Sequence, residues 1–330
     1  MSEDKLIQRI ATAGGKLRGR RASGLLGVGD DAALWPPRHG YETILTCDWF
    51  LEGTHFLRRK HSADSVGWKS LARAISDIAA MGGVPVCFLL SLALPVSLSD
   101  RWLDEFLGGL RRAAQRFVCP LAGGDTTRQE QVLISTTVVG HIPRGEAVLR
   151  SGARPGDVLF VSGRLGEAEA GLELVRKLPV QKLARHVATS ALIQKHLYPE
   201  PRLALGRWLA KKRLVSAMMD LSDGLSTDLP RICAASSVGA TVDAASLPVP
   251  CLSENPGLKK LDPCQLALHG GDDYELLFAV PARKARQIPA SLHGLALTAI
   301  GRMTKSRAIL LRDRGGHELP LPNKGWDPFR

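Results

Sequence analysis

The sequence predicts a mixed α/β protein built from two domains, and three observations carry that expectation. At 330 residues the chain exceeds one typical domain of roughly 100 to 200 residues. Segments with strand and helix patterning alternate through both halves. Around residues 144–156 the pattern breaks into glycine, proline and charge and then restarts, which places a boundary near residue 148 and domains at 1–147 and 148–330. Apolar residues make up 45% and charged residues 23%, ordinary globular usage that excludes wholesale disorder.

The first half opens with a strand expected near Thr43–Asp48. The helix expected near Ala63–Met81 is the clearest element: Trp68, Leu71, Ile75 and Ile78 recur at three- or four-residue steps, Ser62 can cap it, and Gly82-Gly83 ends it. A strand near Val86–Leu94, a helix near Asp100–Phe117 and a strand near Val132–Gly140 follow. The second half restarts with a strand at Val158–Ser162, then helices near Glu167–Leu178, Lys182–His196 and Pro201–Arg213. A strand at Val215–Met219, a helix from about Leu225, and strands at Tyr274–Val280 and Ala296–Gly301 complete the pattern. The tail from Arg312 reads as loop, although Trp326 and Phe329 are large apolar groups to leave in water.

Several classes fall away on composition. The longest apolar stretch, Val84–Leu98, is interrupted by prolines and serines and falls short of the ~18 residues a bilayer span needs, so no membrane association is expected. Glu3 and Asp4 near the start do not suit an export signal, and a cytoplasmic protein is expected. The six cysteines form no Cys-x-x-Cys pair, as for reduced thiols that bind no zinc. The net charge of +12 favours anionic partners. The basic clusters 18–21, 58–60 and 211–213 lack the interleaved aromatics of an RNA-binding sheet, so no nucleic-acid partner is expected.

Gly27-Val28-Gly29-Asp30-Asp31-Ala32 spells a dinucleotide-binding pattern, but two carboxylates where a bare pyrophosphate would sit argue for a bridging cation instead. Acids recur beside glycines or at strand ends: Thr46-Cys47-Asp48 closing the first strand, Gly123-Gly124-Asp125-Thr126-Thr127 preceding another, Asp220-Leu221-Ser222-Asp223-Gly224 between strand and helix, and Gly270-Gly271-Asp272-Asp273-Tyr274-Glu275 before a late strand. Each alone reads as an ordinary turn. Together they repeat one format, a tight turn with a carboxylate projecting from the strand end where α/β ligand sites lie. By spacing alone, Asp77 would pair with Arg73 on the solvated face of its helix.

These motifs, with Ser-Asp-Ile-Ala-Ala-Met-Gly at 76–82, occur in the order found in bacterial thiamine-monophosphate kinases, and the resemblance spans nearly the whole chain. That family sits within the aminoimidazole ribonucleotide synthetase-like superfamily. The resemblance implies a PurM-like fold whose N-terminal domain contributes strands to a barrel in a homodimer and whose C-terminal α/β domain completes the site. It further implies transfer of phosphate from ATP to thiamine monophosphate, with several Mg2+ ions bound. Carried over by position, Asp31, Thr46, Cys47, Asp48, Asp77, Asp125, Asp220 and Asp223 fall at metal positions. Gly124, Asp125, Arg150 and Ser222 fall at nucleotide contacts, and His55, Asp272 and Trp326 at the thiamine phosphate site. Cys47 stands where a hydroxyl residue is usual, and Asp272 where glutamate is common. The other ATP-using synthetases of the superfamily, like those that make aminoimidazole ribonucleotide or selenophosphate, are the alternative.

The chemistry accounts for acid-rich loops in a basic protein. Two phosphates repel at contact distance by about 4 kcal/mol per charge pair at an effective dielectric of ~20, and carboxylate-held metal ions offset that. The acceptor phosphate is largely ionised at neutral pH, with a second pKa of about 6, so no catalytic base is expected.

Overall fold

The computed structural model describes residues 3–13, 32–33, 35–179, 183, 190–253 and 255–329. The chain divides into two compact units, one of residues 1–78 and 83–145 and one of residues 79–82 and 146–330. The glycine-rich segment 27–31, with Asp31, lies outside the described residues.

In the first unit, α1 (Glu3–Ala13) is followed by β1 (Tyr41–Leu51), α2 (Ala63–Ala80), β2 (Val84–Leu94), α3 (Asp100–Arg116), β3 (Leu121–Arg128) and β4 (Leu133–Pro143). The strands form one sheet in the order β1-β4-β2-β3, with β2 and β3 parallel and the other pairs antiparallel. The α2 stripe is buried as expected, with Leu71, Ile75 and Ile78 fully covered, and Ser62 Oγ accepts from the Ser65 amide at 3.2 Å as the cap. Ser99 caps α3 in the same way, its side chain accepting from Trp102 N. Arg9 ties α1 to α3 through Asp100 and Asp104.

Two expectations for this sheet are corrected. Thr46-Cys47-Asp48 does not close β1 but lies in its middle, and Gly123–Thr127 does not precede a strand but lies within one. Glycine pairs usually mark turns, but here they allow close approach: a Cβ on Gly124 would collide with Leu90 O on β2.

In the second unit, β5 (Val158–Ser162), α4 (Glu167–Lys177), α5 (Ala191–Leu197), α6 (Leu203–Lys211), β6 (Ala217–Leu221), α7 (Leu225–Ser236), β7 (Gly239–Asp243), α8 (Pro263–His269), β8 (Glu275–Val280), β9 (Ser291–Leu292), β10 (Leu295–Thr304), β11 (Ile309–Arg312) and β12 (Glu318–Pro320) build a mixed sheet. Its order is β12-β11-β7-β10-β5-β8-β6, with β9 paired to β10. Every residue of β6 and β8 is buried, and apart from Asp220 and Glu275 both strands are apolar throughout, as expected where both faces are covered. One core cluster contains Leu159, Met219, Leu229, Leu277 and Ile300, and a second contains Phe160, Leu209, Met218 and Phe278.

Of the helix expected at Lys182–His196, Leu183 is helical and α5 begins at Ala191, capped by Ser190; residues 180–182 and 184–189 are outside the described set. The tail is not all loop, since β12 pairs with β11 in a hairpin that extends the sheet. Among the described residues no helix is long and apolar enough to cross a membrane.

Candidate functional site

In the first unit, strand alternation puts Thr46 and Asp48 on the same face of β1, with buried Ile44 and Phe50. Thr46 Oγ1 donates to Asp77 Oδ2 from α2. Asp77 is therefore half-buried against the strand rather than paired on a solvated helix face. Cys47 falls on the opposite, open face, its Sγ 3.3 Å from Ser135 Oγ. A thiol suits magnesium poorly, and here it also points away from Thr46 and Asp48.

Register sets Asp48, Thr136, Leu90 and Gly124 in one row across the sheet, and Trp49, Ser135, Ser91 and Asp125 in the next. Asp48 and Asp125 thus occupy the two outer strands, three strand spacings or roughly 14 Å apart along the sheet. Asp125 is exposed, and its Oδ1 accepts from Thr126 N at 2.9 Å. His55, just after β1, takes the Leu51 amide on Nδ1 at 3.0 Å, which leaves the ring proton on Nε2 when the imidazole is neutral. Beyond Gly124–Asp125 a groove of about 1250 Å³ opens between α1, α3 and the end of β3. Its walls include Leu94, Val96, Leu103 and Leu107, with Lys5, Arg111 and Arg128 at its polar side.

The second unit gathers four of the expected residues. Asp220, only 4% exposed, is the penultimate residue of β6, and after Leu221 the chain turns through Ser222 and Asp223 into α7. Asp228 Oδ2, one turn into α7, accepts both the Ser222 and Asp223 amides at 3.0 Å and so shapes this turn. Arg231 reaches both Asp223 (2.7 Å) and Asp228 (2.5 Å). The turn before β8 lies against it: Asp272 N donates to Ser222 O at 2.7 Å and Tyr274 N to Leu221 O at 2.8 Å. The tail completes the cluster, as Trp326 N donates to Asp223 O at 2.9 Å and Thr227 Oγ1 to Asn323 Oδ1 at 2.7 Å. The Trp326 side chain remains 45% exposed, open to a ligand. Ser222, Asp223, Asp272 and Trp326 are thus one continuous hydrogen-bonded assembly.

Arg150 is not part of that assembly. Its carbonyl accepts from Ser236 Oγ, at the other end of α7 from Asp223, and its side chain is exposed. No group of three or more His, Cys, Asp or Glu side chains among the described residues is arranged to hold a metal ion.

Beneath the Asp272 turn lies a set of buried charges that sequence reasoning missed. Glu275 is fully buried and paired with Lys195 and Arg202, the latter through Nε at 2.7 Å. Burial pushes its carboxyl up, but the two cations outweigh that and hold it down at about 2. Asp273 accepts the Gly166 and Ala168 amides at 2.5 and 3.1 Å, and burial pushes its carboxyl up to about 7. The signal was present, since Asp273 and Glu275 stand in the same motif as Asp272, but nothing in the motif's letters marks these two acids as the buried ones.

The two halves match the AIR synthase related protein, N-terminal domain, at residues 29–142 and the AIR synthase related protein, C-terminal domain, at residues 154–313. The thiamine-monophosphate kinase of Bacillus subtilis is 37% identical over 314 residues, covering 92% of this chain and 94% of that protein. That of Escherichia coli K12 is 36% identical over 317 residues, covering 95% of both. The chain belongs to the thiamine-monophosphate kinase family. It is an ATP-using transferase of PurM-like fold. The crystal structure of thiamine-monophosphate kinase from Stenotrophomonas maltophilia superposes with a TM-score of 0.78 at 37% identity, covering 94% of this chain and 96% of that one. A second member of the family, AaThiL complexed with AMPPCP and TMP, gives 0.76 at 32%, covering 99% and 97%. The fold extends beyond the kinases, since E. coli HypE, a hydrogenase maturation protein, gives 0.78 at 20% identity over 98% of each chain.

Proposed function

We propose that this chain transfers the terminal phosphoryl group of ATP to the phosphate of thiamine monophosphate, giving ADP and thiamine diphosphate. The observation that carries the reading is the assembly of Ser222, Asp223, Asp272 and Trp326. It sets an exposed indole, suited to stacking on a flat or cationic ring, beside a carboxylate and a polar turn at a strand end. Asp272 and Trp326 take the thiamine end, Ser222 contacts the nucleotide, and His55 is the remaining thiamine phosphate position. Gly124, Asp125 and Arg150 are the remaining nucleotide positions. The groove beyond Asp125 has apolar walls for a base and cations for phosphate.

Asp31, Thr46, Asp48, Asp77, Asp125, Asp220 and Asp223 are the positions that would hold Mg2+. Their hard oxygen donors fit this ion, which binds through one or two carboxylates plus water and substrate phosphates, so no closed protein cage is required. Cys47 could share only through its carbonyl. Bound magnesium supplies charge neutralisation between two anionic phosphates. The chain's own residues then align acceptor and donor in line, and no side chain need remove a proton from a phosphate already ionised.

A homodimer fits the open face of the first sheet, where Leu45 is 70%, Trp49 56% and Leu89 38% exposed. All six cysteines are free, in keeping with a reducing cytoplasm. The deciding experiment mixes the protein with ATP, Mg2+ and thiamine monophosphate, using unphosphorylated thiamine as control. Thiamine diphosphate appearing only with the monophosphate supports the reading; ATP turnover that ignores thiamine monophosphate points instead to another synthetase of the superfamily.

A further inference from the structure

Of the acidic motif at residues 270–276, the proposed reaction uses only Asp272, yet the neighbouring polar residues are buried with defined partners. Asp272 and Tyr274 have φ of +66° and +50°, the left-handed region that residues with a Cβ enter only when their surroundings hold them there. The surroundings do so on both sides. Asp273 is anchored by the first amides of α4, and Glu275 by Ser162 Oγ at 2.5 Å together with Lys195 and Arg202. Held in this way, the Tyr274 side chain is 2% exposed and its hydroxyl donates to Asp272 Oδ1 at 2.8 Å. The Asp272 carboxylate, 26% exposed, also has His196 Nδ1 at 3.9 Å from Oδ2. A short acid whose backbone and one carboxylate oxygen are both fixed presents its other oxygen in a single direction.

We propose that Tyr274 is a positioning residue: its hydroxyl orients the Asp272 carboxylate toward the thiamine end of the substrate. This rests on the reading of Asp272 given above. An aspartate reaches one methylene less far than a glutamate, so its direction matters more. The competing role for Tyr274 is core filling alone, which phenylalanine would serve equally well.

The test compares wild type, Tyr274→Phe, Asp272→Asn and the double variant by steady-state kinetics in each substrate. Binding of thiamine monophosphate without ATP is measured alongside by calorimetry, and folding is checked by thermal unfolding. Losing one hydrogen bond to a charged group corresponds to about tenfold. Tyr274→Phe is expected to raise KM and Kd for thiamine monophosphate by about that factor and to leave KM for ATP unchanged. In the Asp272→Asn background the same change should add less than about twofold, because the group through which Tyr274 acts has already been altered. An unchanged KM in Tyr274→Phe overturns the proposal, as does an equal rise in both substrates' KM or the full tenfold effect in the double variant. A wild-type protein inactive on thiamine monophosphate would instead remove the functional reading itself.

Discussion

Replacing Glu275 with glutamine keeps the shape of the side chain and removes its charge. In the wild type, Lys195 and Arg202 share this one fully buried carboxylate, and together they hold it at about 2 against an ordinary 4.5. At about 1.4 kcal/mol per tenfold, that depression favours the charged form by about 3 kcal/mol, in line with the cost of breaking a buried pair. For a unit of this size, about 3 kcal/mol lowers the melting temperature by roughly 6–12 °C. The pH dependence has a definite sign. A carboxyl depressed in the folded state contributes stability that is present above about 4.5 and lost as the pH falls toward about 2. Calorimetric unfolding of both proteins from pH 8 down to pH 3 should therefore show a gap that is constant above pH 5 and narrows below it. A gap under about 2 °C at pH 7, or one that does not narrow on acidification, would refute the assignment of Glu275 as the shared anion of the cluster.

Other substitutions probe other links. Gly124→Ala should push β3 away from β2, because the new methyl meets Leu90 O; an unfolding scan should show the loss, and ATP affinity should fall with it. Asp48→Asn and Asp220→Asn should each reduce kinase turnover by at least about 100-fold while near- and far-UV dichroism stay as in wild type; near-normal rates in both would remove them from the metal positions. Trp326→Ala should raise KM for thiamine monophosphate several-fold and leave KM for ATP within about twofold, as measured in initial-rate assays. Asp273 predicts a pH trend opposite to that of Glu275. Its carboxyl is raised to about 7, so it favours the folded state at low pH and costs stability as the pH rises from about 4 to 7; Asp273→Asn should flatten that slope in denaturant titrations.

The long periodic segments were legible from their pattern. The α2 stripe of Leu71, Ile75 and Ile78 and its Ser62 cap are where the spacing puts them, because a helix with one buried face writes its period into the sequence. β3 was not legible, since Leu-Ala-Gly-Gly-Asp-Thr-Thr-Arg has the composition of a turn and becomes a strand only through its neighbour β2. The short late strands and the seven-residue α8 escaped notice because segments so brief show too little of a period to read. Within the site, the acids were visible as a recurring format, but their partners were not. Thr46 meets Asp77 across 31 residues and Asp223 meets the tail at Trp326 across about a hundred, and contacts of that separation leave no periodic trace. Local spacing sent Asp77 to the solvent, and only the ordered set of motifs argued otherwise.

The docking of residues 323–326 onto Asp223 and Thr227 also bears on how the gene tolerates damage. A stop codon just after Leu321, which packs on the core, would leave every described helix and strand encoded, yet the message would yield a protein without the Trp326 indole and with the Asp223 carbonyl stripped of its cover. Such an allele should behave in complementation as a loss of function despite normal protein abundance, and an assay of expression level alone would miss it.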